Sequence, residues 1–302
     1  MKIKLQLGGV AFCIVAERDL LINPELAAFL KEQQHESDIT IEISWNWENA
    51  RQPVTEPIGQ DLIQNYYIEG NDCYCITRAG QKGPIASTLY TSDFSKVVCT
   101  LNEKPFLEPP KTLGSILRML PMRQIFLYFH TLFLHASQIS YGGKGILFAA
   151  PSGIGKTTQA KLWKKHRGAE IVCNDRTLLR KVEKKWYTYG YPLDGSEPVC
   201  SSQVNQLGCV VLLKQGPVNQ IRQLETGKNI GLLMGQVVMD CWSSDARTKT
   251  MEQIITLLRD IPVYLLTCTP DERAVKTLEA KLIEREVISH GENFRPSLEE
   301  GG

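Results

Sequence analysis

The feature that most constrains this chain is a glycine-rich stretch near its middle, which reads Ala150-Pro-Ser-Gly-Ile-Gly-Lys-Thr157. Residues 146–150 before it are apolar, and residues 156–166 after it have the composition of a helix. A strand that enters a glycine-rich turn and leaves it as a helix is typical of a mononucleotide-binding unit. The stretch therefore predicts an α/β fold around the centre of the chain.

The chemistry of this stretch predicts phosphate binding. Glycine at positions 153 and 155 lets backbone N–H groups turn toward an anion without a Cβ clash, and the following helix directs its positive dipole end to the same point. We expect Lys156 to reach the outer phosphate oxygens and the Thr157 hydroxyl to bind Mg²⁺. The alternative is a glycine-rich turn with a surface lysine. The predicted residues for binding ATP, or another nucleoside triphosphate, are Ala150, Pro151, Ser152, Gly153, Ile154, Gly155, Lys156, Thr157 and Thr158.

A magnesium site also needs a carboxylate, and Asp175 is the candidate. The apolar residues 171–173 predict a strand that ends in Asn174-Asp175-Arg176. An acid at the carboxyl end of a strand beside a phosphate loop suits the metal, so Thr157 and Asp175 are the predicted ligands. A turn-forming aspartate is the alternative, because Asn-Asp is also turn chemistry. Arg176 either contacts phosphate or pairs on the surface.

The histidine at position 135 is placed by a hairpin argument. Residues 134–140 alternate like a strand, and Gly142-Gly143 is a two-residue turn signal before the strand that enters the glycine-rich stretch. With that turn, paired residue numbers sum to 285, so His135 faces Ala150. An imidazole there would orient an acceptor, take its proton or neutralise phosphate charge. A structural histidine at the start of a strand is the alternative.

The segment that precedes the glycine-rich stretch is too long to be an unstructured extension. We predict a β-rich (α+β) N-terminal domain over residues 1–115, with a role in substrate or leader recognition, a nucleotide-binding α/β domain over 116–288, and a disordered tail over 289–302. Residues 108–111, Glu-Pro-Pro-Lys, form a stiff junction. The expected strands are 2–7, 10–16, 39–45, 66–69, 73–77, 97–101, 146–150, 171–173, 178–182, 186–189, 210–213 and 263–267, and the expected helices are 26–33, 113–120, 156–166, 248–258 and 271–284.

Composition limits the partners. Hydrophobic residues are 43% and charged residues 22% of the chain, and the formal net charge of +1 gives no basic surface for nucleic acid. The most apolar run, residues 125–134, contains His130 and is too short to span roughly 30 Å of hydrocarbon. We therefore expect no membrane partner and a cytoplasmic protein. Nine cysteines without a C-x-x-C pair favour free thiols over a zinc or redox centre.

Taken together, these residues resemble the HPr kinase/phosphorylase family, whose fold is related to that of the phosphoenolpyruvate carboxykinases. Those families carry a loop of the form G-x-S-G-x-G-K-[S/T], which Ser152-Gly153 fits, and HPr kinase has a histidine at the interval of His135. The layout is most similar to HPr-kinase-like proteins of peptide-modification systems, which include kinases of a serine in lasso peptides. The stretches that carry this second likeness are 174–180, 186–190 and 212–217.

One departure from the family concerns its Asp-Asp pair, which is Asn174-Asp175 here. The first aspartate of that pair is implicated in the family as the base near the acceptor hydroxyl. Asparagine does not accept that proton at neutral pH. Either His135 or Asp175 takes the role, or kinase activity is reduced.

The resemblance implies an ATP- and Mg²⁺-dependent kinase that acts on a hydroxyl, most simply a serine or threonine of a peptide or protein. Its implied catalytic set is His135, Lys156, Asp175 and Arg176. Separately, Asp194 either lies near the site or simply forms a turn, and the turn is the better interpretation. Two alternatives stay open: a kinase of a small molecule such as free serine, and an ATP-binding regulatory or recognition protein. A transport ATPase and a GTPase lack their signatures here, and no oxaloacetate site for a carboxykinase is evident. The sequence also leaves open whether the chain forms a homo-oligomer.

Overall fold

Alternating apolar and polar residues run through both halves of the chain, and they produce a mixed α/β fold with two eight-stranded sheets. The computed structural model describes residues 1–106, 111–193, 199–225 and 230–289. The predicted Pro109-Pro110 junction, Asp194 and the tail from residue 290 onward lie outside these ranges. No helix within the described ranges is long and apolar enough to cross a membrane.

The strands of the first sheet are β1 (Lys2–Leu7), β2 (Val10–Ala16), β3 (Ile39–Ser44), β4 (Gly59–Gln60), β5 (Gln64–Glu69), β6 (Asp72–Arg78), β7 (Pro84–Tyr90) and β8 (Val97–Leu101). The strands of the second sheet are β9 (Thr131–Tyr141), β10 (Lys144–Ala149), β11 (Glu170–Cys173), β12 (Arg176–Val182), β13 (Lys185–Gly190), β14 (Val204–Gln215), β15 (Gln220–Gln223) and β16 (Val263–Cys268). The α-helices are α1 (Pro24–Ala27), α2 (Leu113–Leu117), α3 (Met122–Tyr128), α4 (Lys156–Arg167), α5 (Ile230–Met234), α6 (Ser244–Asp260) and α7 (Glu272–Glu284).

The described residues divide into two compact units. The first is drawn from Met1–Phe133, Tyr191–Asp194 and Val238–Gln253, and the second from Leu134–Gly190, Gly195–Val237 and Ile254–Gly302. The first unit therefore takes short segments from far along the chain. Nothing in the local pattern of residues 1–133 indicates that these later segments belong with it.

The first unit is built on the sheet with strand order β1-β2-β3-β8-β7-β6-β5-β4. Its first two strands confirm the predicted ranges 2–7 and 10–16, and they pair as a hairpin around Gly8-Gly9, both of which have positive φ. The pairs β2–β3 and β3–β8 are parallel and the other pairs are antiparallel. Leu5, Phe12 and Ile41 are among the fully buried side chains of this sheet.

The second unit is built on the sheet with strand order β10-β9-β12-β13-β14-β16-β15, with β11 beside β9. Strand β10 also pairs with β14, so five strands close into a ring. The neighbours β10, β14 and β16 run parallel. Their carboxyl ends therefore meet at one edge, and that edge is where the glycine-rich loop (residues 150–155) begins.

The hairpin before this loop has the predicted register. Tyr141 pairs with Lys144 and Ala136 with Ala149, so the residue numbers sum to 285 and Gly142-Gly143 form the turn. Helix α4 follows the loop and ends at Arg167, and Gly168 after it has a φ of 66°, the left-handed conformation of a glycine C-cap. Trp163 on α4 is fully buried in a core that includes Phe148, Val211 and Leu278.

Two helix predictions extended too far toward the C-terminus. The helix expected over 26–33 ends at Ala27, because Leu30 forms a bridge with Leu5 and Lys31 N–H donates to Lys4 O at 2.8 Å. Pairing with the sheet edge there satisfies the backbone better than two further helical turns. The helix expected over 113–120 ends at Leu117, and α3 forms separately after Pro121.

Candidate functional site

The glycine-rich loop is an open cradle at the carboxyl end of β10. Gly153 and Gly155 have φ of 80° and 116°, which L-residues rarely adopt. A Cβ on Gly153 would meet no atom within 4 Å, so the backbone conformation, not packing, requires glycine there and the adjacent space is free. Pro151, Ser152 and Thr158 are exposed, while Ile154 and Thr157 are half-buried.

Lys156 is the first residue of α4, and its side chain turns back over the loop. Its Nζ donates to the carbonyl oxygen of Ala150 at 2.9 Å, and the residue is only 7% exposed. Burial lowers the pKa of the Lys156 ammonium, Asp175 raises it and Arg176 lowers it. A buried ammonium beside a glycine-rich loop at the start of a helix is a strong anion-binding arrangement, since few waters compete for its charge.

His135 and Asp175 meet beside the loop. His135 Nε2 lies 2.8 Å from Asp175 Oδ1, although the two residues are 40 positions apart. The histidine backbone N–H donates to Gln236 O at 2.8 Å, which fixes the strand just beyond the last hairpin pair. With Nε2 donating to the carboxylate, a neutral imidazole keeps Nδ1 as a proton acceptor.

The charges around His135 favour its neutral form. Burial lowers the pKa of the imidazole, the Lys156 charge lowers it further, Asp175 raises it and Arg176 lowers it. Arg176 Nε lies 3.6 Å from Asp175 Oδ2. His135, Lys156, Asp175 and Arg176 thus form one electrostatic cluster, and the structure brings together every member of the predicted catalytic set.

Two hydroxyl side chains hold the cluster in place, and the sequence reasoning missed both. Ser137 Oγ donates to Asn174 O at 2.6 Å, and Thr177 Oγ1 donates to Ala136 O at 3.2 Å. Both are fully buried and tie β9 to the turn that carries Asp175. Ser137 has the parity of His135 on β9, so strand alternation was the signal that could have found it.

Asn174, the departure from the resembled family, is buried, with 5% exposure. Its carbonyl oxygen is the acceptor for Ser137. The position therefore contributes to the structure of the turn, whatever role its side chain has in chemistry.

A cavity of about 320 Å³ adjoins the loop at the ends of β14 and β16. Its wall includes Gly153, Thr158, Gln159, Gln215 and Thr269. Gln159 is 2% exposed, and its Oε1 is buried without a hydrogen-bond partner among the described residues. Gln215 Nε2 donates to Ile154 O at 3.3 Å, which links the end of β14 to the loop. The sequence reasoning missed this cavity, because its walls combine the glycine-rich loop and α4 with the ends of β14 and β16, which are far apart in the chain.

The donor set is suited to magnesium. Asp175 is 32% exposed at its side chain, and a carboxylate with lone pairs beyond those used by His135 and Arg176 can still bind a cation. One carboxylate and one hydroxyl, completed by phosphate oxygens and water, is a usual magnesium environment. No cluster of three or more His, Cys, Asp or Glu that could hold a metal occurs in the part of the chain described here.

The fold and site define a mixed α/β protein with a glycine-rich loop at the end of parallel strands. Residues 115–283 match the family described as SynChlorMet cassette protein ScmC. This segment is more than half of the chain, so the chain belongs to the ScmC family.

The other comparisons with known proteins say less about the chain. No curated protein matches the chain. Among solved structures, the HPr(Ser) kinase/phosphatase from Coxiella burnetii is similar at 13% identity with a TM-score of 0.32, covering 51% of this chain and 98% of that chain. The similarity to this kinase is distant and concerns about half of the chain.

Proposed function

We propose that the chain is an ATP- and Mg²⁺-dependent kinase that transfers the γ-phosphoryl group to a hydroxyl of a peptide or protein. The observation that supports the proposal is the contact of His135 with Asp175, together with the electrostatic influence on His135 of Lys156, which is bonded to the glycine-rich loop. Phosphoryl transfer depends mainly on positioning and charge stabilisation, and this cluster supplies both. In this proposal the second unit carries the kinase chemistry, and the recognition role expected of residues 1–115 belongs to the first unit.

The roles follow from the geometry. The loop amides and Lys156 bind the phosphates, and the cavity beside Gln159 and Thr269 takes the nucleoside. Thr157 and Asp175 would hold Mg²⁺, which supplies charge neutralisation on the phosphates. His135, neutral and donating to Asp175, accepts the acceptor's proton at Nδ1 as the oxygen attacks. The new P–O bond forms as the bond between the γ-phosphorus and the β–γ bridging oxygen breaks, the nucleoside diphosphate leaves, and Arg176 adds positive charge nearby.

The test is Lys156→Ala, with Lys164→Ala on the same helix as the matched control, since Lys164 is exposed. We expect Lys156→Ala to lose ATP binding by at least about tenfold and to lose label transfer from γ-labelled ATP. Lys164→Ala keeps both. Wild-type binding and labelling by Lys156→Ala would overturn the proposal. A peptide library and free serine, offered in parallel, separate the peptide kinase from a small-molecule kinase.

A second candidate is an ATP-binding regulatory protein without turnover. Asn174 favours it, because this buried side chain is no proton acceptor where the resembled family has an acid. Tight ATP binding with no transfer to any acceptor, and no ATP hydrolysis, would favour this candidate over the kinase.

A further inference from the structure

The first unit contains a second concave site, remote in sequence from the glycine-rich loop. A cavity of about 270 Å³ is lined by the aromatic side chains Tyr66, Tyr67, Tyr90, Phe94, Tyr128 and Trp242. Tyr66 stacks on Trp242 with centroids 4.8 Å apart, and Tyr90 stacks on Phe94 at 5.2 Å. We call this cavity the aromatic pocket. Neither the family description nor the proposed kinase chemistry assigns it a role.

The aromatic pocket has an acid in its wall. Asp240 lines it and is only 4% exposed. Its charge helps to raise the pKa values of both Tyr66 and Tyr90, for which burial is the larger cause, so the carboxylate lies close to two walls of the pocket. Aromatic faces around a carboxylate form a favourable environment for an organic cation.

The carboxylate of Asp240 is only partly neutralised by its cationic neighbour. Arg123 Nε lies 3.3 Å from Asp240 Oδ1, and the same guanidinium also pairs with Asp61. Asp61 already accepts from the backbone N–H groups of Ile63 and Gln64, at 2.9 and 2.8 Å. One guanidinium is thus shared by two carboxylates. Burial raises the pKa of Asp240, while Arg123 and a hydrogen bond from Gln124 lower it.

The mouth of the pocket is apolar and electrically balanced. Ile58, Ile68 and Tyr128 are 47%, 52% and 42% exposed. Asp245 and Lys249, which also line the pocket, pair with each other at 2.8 Å. Among the described residues, the charged side chains in the pocket wall or paired with it are three carboxylates and two cations. The carboxylates are Asp61, Asp240 and Asp245, and the cations are Arg123 and Lys249. One negative charge is therefore left over, at the buried end of the pocket.

We propose that the aromatic pocket binds a lysine or arginine side chain of a peptide. Such a side chain has an aliphatic stem for the apolar mouth and a cationic tip for Asp240 and the aromatic faces. A neutral aromatic side chain would fill the cavity but would leave the shared guanidinium and the buried acid unbalanced. The site is independent of the glycine-rich loop, so its test needs no nucleotide and its failure is separate from failure of the kinase proposal.

The experiment uses the full chain and capped pentapeptides Gly-Gly-Xaa-Gly-Gly, in which Xaa is lysine, arginine, norleucine, acetyl-lysine or phenylalanine. Calorimetric titration gives affinity, and the indole N–H resonance of Trp242, assigned with Trp242→Phe, reports whether binding is in the pocket. We expect the lysine and arginine peptides to bind about tenfold more tightly than the norleucine peptide and to shift this resonance.

Two variants test the origin of that preference. Asp240→Asn is expected to remove the preference for lysine over norleucine, with Asp19→Asn, an exposed acid of the same unit, as the matched control. If Asp240→Asn does not fold, Tyr128→Leu at the exposed rim serves instead, because leucine keeps apolar area but loses the aromatic face. It should weaken lysine binding several-fold and leave norleucine binding unchanged.

Three outcomes would overturn the proposal. The first is equal binding of the lysine and acetyl-lysine peptides, and the second is tighter binding of the phenylalanine peptide. The third is no binding of the lysine peptide at millimolar concentration together with an unshifted Trp242 resonance.

Discussion

At the scale of single residues, the role proposed for His135 depends on one hydrogen bond. His135 Nε2 and Asp175 Oδ1 are 2.8 Å apart, and this contact orients the imidazole so that Nδ1 is the acceptor. Burial, the Lys156 charge and the Arg176 charge lower the pKa of the imidazole, against the opposing effect of Asp175, and this direction favours the neutral form. A neutral histidine at the working pH is what a general base requires.

The lowered pKa of His135 makes stability depend on pH. Because the folded protein takes up this proton less readily than the unfolded chain, His135 contributes stability that is complete above about pH 6.5. That contribution is lost as pH falls toward the lowered folded pKa. We therefore expect His135→Asn to lose less stability than wild type between pH 7.5 and 5, measured by thermal unfolding. Equal losses in the two proteins would contradict the assigned direction of the pKa shift.

At the scale of elements, α4 is placed by its two ends. Its first turn lies at the carboxyl end of β10, and its last turn closes on Gly168, whose N–H donates to Lys164 O at 3.0 Å. Between them, Trp163 and Ala160 are buried against the second sheet. Helix α7 packs in the same core through Val275 and Leu278, and it begins at Glu272 with Asp271 as its N-cap, one residue after the predicted start.

The C-terminal cap of α4 can be tested with alanine. Gly168→Ala should destabilise the protein by about 1 kcal/mol, because an L-residue at positive φ is strained. Gly231→Ala is the control: this residue lies in α5, its φ is not positive and a Cβ would meet no atom within 4 Å. It should leave stability unchanged or raise it by about 0.5–1 kcal/mol. Thermal or urea unfolding measures both, and a larger loss in Gly231→Ala would refute the argument.

At the scale of the whole molecule, the first unit is discontinuous in sequence. Residues of Tyr191–Asp194 and Val238–Gln253 belong with Met1–Phe133. Tyr191 packs edge-on against Phe126 and Phe133 at 5.8 and 4.7 Å, and Trp242 covers Tyr66. The aromatic pocket cannot form without the later segment, because Asp240, Trp242 and Lys249 are part of its wall.

This discontinuity predicts the behaviour of a fragment. Residues 1–133 expressed alone would expose the faces of Tyr66 and Phe126, and Arg123 would lose one of its carboxylate partners, Asp240. We expect this fragment to lack a cooperative thermal transition by circular dichroism, whereas the full chain has one. A cooperative transition in the fragment, with a midpoint equal to that of the first unit in the full chain, would contradict the assigned boundary.

Short stretches of sequence were enough to predict several local structures of this protein. The glycine-rich loop, the Gly142-Gly143 hairpin with its register and the Gly168 cap were all predictable, because backbone sterics and strand alternation act within a few residues. The short α1 was not predictable, since an edge pairing with β1 outweighed helical periodicity.

Tertiary structure alone decided the rest. The contact of His135 with Asp175, the cavity beside Gln159 and the burial of Asp240 among aromatic rings join residues that are far apart in sequence. Their pKa shifts depend on desolvation and on charges brought close in space, and neither quantity is written in the order of the residues. The sequence by itself therefore determined which groups have the chemistry, and the folded chain decided which of them act on one another.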